Sequence, residues 1–257
     1  MFLRLRQLCL VAEQLDPVIA DLRAVFDVPV CHRDPAVACF GLHNALVALG
    51  PGFVEVVAPL RAGTTAGRYL ERRGGPGGYM VILETDDLGH WRGHVDALGV
   101  RVAAALAQGD YEGLQLHPRD TGGALLEINT TRGNSADPYG PYGPAGVHWQ
   151  DSVRTGRVRA ITGAVLHGRD PARLAQRWGE ILQRPARLGA DGWQLALDNA
   201  VLRFVEATEG RGEGLGAIEI DAVDVPAIIR TARARGCDAT ERGVVVGGVV
   251  FRWRAER

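Results

Sequence analysis

The sequence predicts an α+β fold made of four βαβββ units, two in each half of the chain. Three observations carry this. A short apolar strand, an Asp-Pro pair and an amphipathic helix occur in that order twice, in LCLVAEQLDPVIADLRAVF and again in TGAVLHGRDPARLAQRWGEIL. Each of these stretches is followed by strand-like runs and a second strand-to-helix start. A Gly- and Pro-rich stretch, residues 132–156, separates the two copies.

The elements follow in order. In the first unit Asp16 is expected as helix N-cap with Pro17 at the first helical position, where the missing N–H costs nothing. Val18, Leu22, Val25 and Phe26 then recur at helical spacing. Val37–Leu42, Ala45–Leu49 and Phe53–Val57 read as strands. The second unit opens with the strand Tyr79–Glu84, and its helix runs within 87–99 to a stop at Gly99. The hairpin of 114–117 with 124–128 closes it. In the second half Asp170 and Pro171 repeat the helix start, followed by Gln194–Leu197 and Val201–Val205. A last unit comprises the strand Ala217–Asp221, a helix within 225–236 and the strands 244–246 and 249–253. The expected layout is a first domain over 1–131, a linker over 132–156 and a second domain over 157–257. Tyr139, Tyr142 and Trp149 in the linker predict that it packs along a surface.

Composition narrows the function. Hydrophobic residues at 46% and charged residues at 23% are ordinary for a globular chain and exclude a disordered or coiled-coil protein. A net charge of −1 and scattered arginines argue against a nucleic-acid partner. All 29 basic residues are Arg, so chemistry that needs a lysine amine, Schiff-base formation and Walker-type phosphate binding alike, is excluded. No apolar run reaches the roughly 20 residues of a membrane span, and the start of the chain lacks signal-peptide features. Cys9, Cys31, Cys39 and Cys237 show no CxxC spacing, which fits free thiols in a reducing, cytoplasmic setting.

Paired βαβββ units of this kind resemble the vicinal oxygen chelate superfamily, which includes glyoxalase I, methylmalonyl-CoA epimerase, extradiol dioxygenases and the fosfomycin and bleomycin resistance proteins. The resemblance is specific in FVEVVAPLRAGTTAGRYLERRGGPGGYMVILETDDL, which is similar to the epimerase-like pattern, and in LHPRDTGGALLEI, similar to that group's closing hairpin. It covers about residues 3–130, and the second half through its layout. The whole resembles the two-domain glyoxalase-like proteins of actinobacteria and their relatives. The resemblance implies two domains, each a curled mixed sheet forming a cup with helices outside. It also implies a divalent metal on the cup floor, held by one residue from each of four strands.

Carried over, those four positions fall on Gln7, Glu55, Met80 and Glu127. Oxygen ligands suit a hard cation, whereas the soft thioether of methionine does not. No firm cofactor is therefore expected, and Gln7, Glu55 and Glu127 leave room only for a loosely held Mg²⁺ or Mn²⁺. The matching positions of the second half are Thr162, Arg203, Ala217 and Arg252, which would repel a cation. Glu55 and Glu127 are the expected catalytic carboxylates, because the resemblance places both in the cup and one of two neighbouring carboxylates can serve as a base. The bland alternative ties them to Arg4, Arg6 or backbone. Gln7, Cys9, Tyr79, Met80 and His117 are the expected ligand-binding residues. For Cys9 and Tyr79 core packing is the competing reading, and for His117 a turn-stabilising role. His90 and His94 stand four apart on one helix, but without a third ligand they read as a solvated surface pair.

Two functions follow. One is an isomerase or lyase that abstracts a proton next to a carbonyl; the other is a non-catalytic protein that sequesters a small molecule, as resistance proteins of the superfamily do. The expected partner is a small-molecule ligand or substrate, with no membrane or nucleic acid, and a homodimer is compatible with everything above.

Overall fold

The computed structural model describes residues 1–207 and 212–253. Two eight-stranded mixed sheets with helices make up the fold, and their orders are the same. The first runs β2 (Val30–His32), β3 (Leu42–Leu49), β4 (Gly52–Pro59), β1 (Leu3–Val11), β5 (Gly77–Thr85), β8 (Leu125–Thr131), β7 (Tyr111–Leu116), β6 (Val102–Gln108). The second runs β10 (Arg187–Gly189), β11 (Gly192–Ala196), β12 (Val201–Glu206), β9 (Val158–Gly168), β13 (Gly214–Ala222), β16 (Val249–Arg252), β15 (Gly243–Val246), β14 (Ala239–Thr240). Adding eight to every strand number of the first sheet gives the second. The α+β class and the fourfold repeat are thus as the sequence predicts.

The chain gathers into two compact units. The first consists of Met1–Gln7, Tyr79–Gly143 and Gly163–Gly216; the second of Leu8–Gly78, Pro144–Thr162 and the residues from Ala217 onward.

The first unit holds α3 (Leu88–Ala97), the short α4 (Pro118–Thr121) and α5 (Pro171–Leu182). Asp87 caps α3 by accepting from the His90 N–H at 2.9 Å, and Asp170 caps α5 by accepting from the Arg173 N–H at 3.0 Å, as expected for Asp170. Helix α5 buries Ala175, Trp178, Ile181 and Leu182, and the Trp178 ring meets Phe204 edge-on. His90 and His94 are not merely solvated. His90 Nε2 lies 2.9 Å from Gln183 Oε1, and His94 Nε2 lies 2.9 Å from the Glu180 carbonyl, so the pair ties α3 to the end of α5.

The second unit holds α1 (Leu15–Phe26), α2 (Thr65–Arg73) and α6 (Val225–Ala234). Helix α1 starts two residues earlier than the Asp-Pro pair suggests. Gln14 is its N-cap without a side-chain bond, and Asp16 lies in the first turn, where its charge faces the positive end of the helix dipole. Leu15, Ile19, Leu22, Val25 and Phe26 are buried, and the Phe26 ring packs on Phe251. The expected strand Val37–Leu42 is instead a 3₁₀ turn, Pro35–Phe40. Asp34 caps it by accepting from the Ala36 N–H, and Gly41 ends it at φ 72° before β3 begins. Proline donates no N–H to a ladder, so this segment turns where its apolar content suggested a strand. In the linker, Trp149 is buried against Phe53.

Gly248 sits at φ +73°, where an added Cβ would come 2.0 Å from the Pro76 carbonyl oxygen. Gly63 has φ +75° and open space around its Cβ position. Gly63→Ala is expected to cost about 1–2 kcal/mol, from left-handed backbone alone. Gly248→Ala should cost clearly more, because the Pro76 backbone must also shift. Urea unfolding midpoints of the two variants measure the difference.

Among the described residues, no helix is long and apolar enough to cross a membrane.

Candidate functional site

The polar cluster with the most chemistry lies in the first unit, on one face of β7 and β8. Residues directly opposite one another are Gln115 and Glu127, Gly113 and Asn129, and Tyr111 and Thr131. Side chains alternate along a strand, so Tyr111, Gly113 and Gln115 share a face with Glu127, Asn129 and Thr131. Gly113 carries no side chain, and that gap lets Tyr111 reach diagonally to Glu127. A Cβ at Gly113 would come 3.1 Å from the Tyr111 hydroxyl and 3.2 Å from Glu127 Oε1.

Glu127 is buried, at 2% exposure, and all of its hydrogen-bond donors are neutral. Its Oε1 accepts a short hydrogen bond from the Tyr111 hydroxyl and a longer one from Asn129 Nδ2 at 3.2 Å. Its Oε2 accepts from Gln115 Nε2 at 3.0 Å. Burial and the nearby Glu127 charge push the Tyr111 phenol well above its ordinary range. Tyr142 is raised in the same way, first by burial and then by Glu127 and Glu84. Both phenols therefore remain protonated donors at neutral pH.

Tyr142 comes from the Gly- and Pro-rich stretch 132–156 and lies in the first unit. Its hydroxyl donates to Gln7 Oε1 at 3.0 Å, and the Arg6 guanidinium lies 4.8 Å from its ring centre. The segment before it is held by charge. Arg4 donates to the Ala136 carbonyl, and Arg6 donates to those of Pro138 and Gly140. Both guanidiniums also clasp Glu84: Arg4 Nη2 lies 2.8 Å and Arg6 Nε 3.1 Å from Oε2, with Glu84 fully buried. Asn134 adds a bond to Glu84 Oε1 at 3.1 Å. Burial lowers the Arg6 guanidinium below its ordinary range, and Glu84 opposes that shift. The bland alternative for the candidate carboxylates thus finds its arginines on Glu84, and Glu127 has none.

Gln7 and Glu127 are linked through Tyr142 and Asn129. Tyr79 and Met80 are nearly buried on β5, where Met80 pairs with Leu125. His117 is half-exposed at the start of α4, and its Nδ1 accepts from the Arg119 N–H at 3.2 Å. Glu55 and Cys9 belong to the second unit. Glu55 Oε1 accepts from Asn44 Nδ2 at 2.6 Å, and the buried Cys9 thiol lies 3.5 Å from the Leu10 carbonyl. Of the second-half positions, Arg252 is paired with Glu219 at 2.6 Å and Arg203 is buried.

The donor set does not fit a tightly held divalent metal. Glu127 already accepts from three neutral donors, Gln7 from Tyr142 and Glu55 from Asn44, and Met80 offers only a thioether. Among the described residues, no three His, Cys, Asp or Glu side chains converge in a way that could hold an ion. Purified protein dialysed against a mild chelator should carry much less than one equivalent of zinc, iron, nickel or cobalt by elemental mass spectrometry. Stoichiometric retention would refute this.

Sequence reasoning missed Tyr111, Gln115, Asn129, Glu84 and the inward role of Tyr142. The period-two polar stripe in YEGLQL and LLEINTT was a usable signal for the first three. Tyr142 left no local signal.

The model of the glyoxalase-like domain family matches residues 8–182 of this chain. No curated protein matches it. Among solved structures, a hypothetical protein from Staphylococcus aureus is 12% identical over 98% of this chain and 99% of its own, with a TM-score of 0.69. The Mn(II)-bound glyoxalase from Novosphingobium aromaticivorans is 16% identical over 97% of this chain and 80% of its own, with a TM-score of 0.66. Methylmalonyl-CoA epimerase from Streptomyces coelicolor, in complex with 2-nitronate-propionyl-CoA, is 21% identical over 51% of this chain and 99% of its own, at a TM-score of 0.47. At 12% and 16% identity, the likeness to the first two is one of fold.

Proposed function

The chain belongs to the glyoxalase-like domain family, and from that premise we propose that it is a small-molecule isomerase or lyase with Glu127 as its base. The observation that carries this reading is the contrast between two buried carboxylates. Glu84 is clasped by Arg4 and Arg6 and is committed to that buried ion pair. Glu127 is met by neutral donors alone and can take up a proton without breaking an ion pair.

In this reading the substrate is a small molecule with a C–H next to a carbonyl. Glu127 takes that proton, the C–H electron pair moves to the carbonyl carbon and its π pair moves to oxygen. A protonated phenol, Tyr111 or Tyr142, donates to the developing enolate oxygen. Returning the proton to carbon completes an isomerisation; expelling a leaving group from the next carbon completes an elimination. Glu55, held by Asn44, is the second candidate base. Gln7, Tyr79, Met80, Cys9 and His117 are proposed as ligand contacts. The proposed setting is cytoplasmic, and the proposed assembly a homodimer.

Sequestration without turnover is the second reading. It is favoured by Gln7 and Met80 standing where the resemblance implies imidazoles, and by Tyr142 filling space beside Gln7. Incubation in D₂O with a panel of small α-hydroxy ketones, α-keto acids and acyl thioesters, read by proton NMR, separates the two. Deuterium entering the carbon next to a carbonyl, at a rate set by Glu127, supports the enzyme. Tight binding with no exchange in any compound supports the binder.

A further inference from the structure

Strand β6 is the end strand of the first sheet, and its sequence VAAALAQ carries no charge. All seven residues are exposed or half-exposed, and Val102 is 39% exposed. The other end strands are short: β2 and β10 have three residues each and β14 two. An end strand leaves every second residue's N–H and C=O without a ladder partner, and proteins guard such edges with charge, proline or extreme shortness. Among the described residues, β6 itself carries neither charge nor proline, and its guard is an irregularity between Val102 and Ala104. A long, apolar, uncharged edge of this kind is an adhesive surface.

We propose that β6 pairs antiparallel with β6 of a second copy of this chain, about a twofold axis through the middle of the strand. The sequence around it favours a copy of itself over a foreign strand. Arg101 precedes the strand, and Asp110 follows it in the tight turn to β7. Antiparallel pairing about the centre brings each Arg101 beside the Asp110 of the other copy, so the flanking charges attract at both ends. Each of these residues has an intramolecular partner, Asp120 for Arg101 and Asp110's own Arg132, but at 58% and 67% side-chain exposure both remain open to a second one. The strand itself presents alanines near the axis, small enough for the two backbones to approach. A closed twofold uses up the β6 edge of both copies, so this contact does not propagate.

The inference rests on the proposed homodimer and is independent of the catalytic reading. A strand pair this short buries little area, so dissociation in the micromolar range is expected. Sedimentation of the full chain between about 5 and 200 μM, bracketing that range, should show a monomer–dimer equilibrium. Hydrogen exchange should show amide protection within 102–108 that grows with concentration. Ala105→Lys and Ala105→Glu, both at an exposed position, should each be monomeric with unchanged melting temperature, because like charges face each other across the axis. Mixing the two variants should restore the dimer, because Lys then faces Glu. A chain monomeric throughout overturns both the dimer and its surface. A dimer untouched by either variant leaves the homodimer standing and overturns β6 as its interface. Dimer loss in both variants without rescue on mixing overturns the twofold self-pairing, leaving a foreign strand as the fitting occupant.

Discussion

Glu127→Gln should leave the protein folded, with a melting temperature within a few degrees of the parent, while proton exchange at carbon falls by about 10²–10⁴-fold. The swap keeps the shape and both terminal positions. A Gln side-chain oxygen still accepts from Tyr111, and Gln115 can turn its amide to present its oxygen to the new NH₂ group. Only the negative charge and the basicity are lost, and no cation is left behind. If Glu127 were purely structural, exchange and ligand affinity would be untouched, and any effect of the swap would be confined to the melt. Thermal melts and the D₂O assay on this single variant give opposite patterns for the two roles.

Glu84→Ala should be the most damaging substitution to stability in this cluster, by about 3–5 kcal/mol in urea unfolding. Removing the carboxylate leaves Arg4 and Arg6, at 4% and 1% exposure, as neighbouring like charges in a buried site. Arg6 is already pushed down by burial and is supported chiefly by Glu84. The loss should spread to the linker, because both guanidiniums also hold the carbonyls of 136, 138 and 140. A variant whose unfolding midpoint matches the parent would show that the clasp contributes no net stability.

The repeat and the boundaries of the longer elements were legible because they are written locally. Asp170 before Pro171 marks the start of α5, while the same pair at Asp16 and Pro17 falls inside the first turn of α1; Leu174, Trp178, Ile181 and Leu182 state the period. Strand β6 was not legible: Val102–Gln108 is mostly alanine, a poor strand former, and it shows no alternation because neither face is deeply buried. Pro35 misled in the other direction, since the apolar run after it belongs to a turn. For the site, Glu127 could be reached through resemblance and Tyr111 through alternation. Tyr142 could not, because its partners Gln7 and Arg6 lie more than a hundred residues away in sequence. Tertiary contacts at that range leave no periodic trace in the chain.

The interleaving of the two compact units has a consequence for synthesis. The second unit joins Leu8–Gly78 to the residues from Ala217 onward. Helix α1 is made about two hundred residues before the α6 helix it packs against and the Phe251 that meets its Phe26. At ribosomal speeds of about 5–20 residues per second, the apolar stripe of α1 waits for roughly ten seconds or more before its partner emerges. During that interval the nascent chain presents Leu22, Val25 and Phe26, or finds temporary cover for them. Such distant pairings slow the closing of this unit.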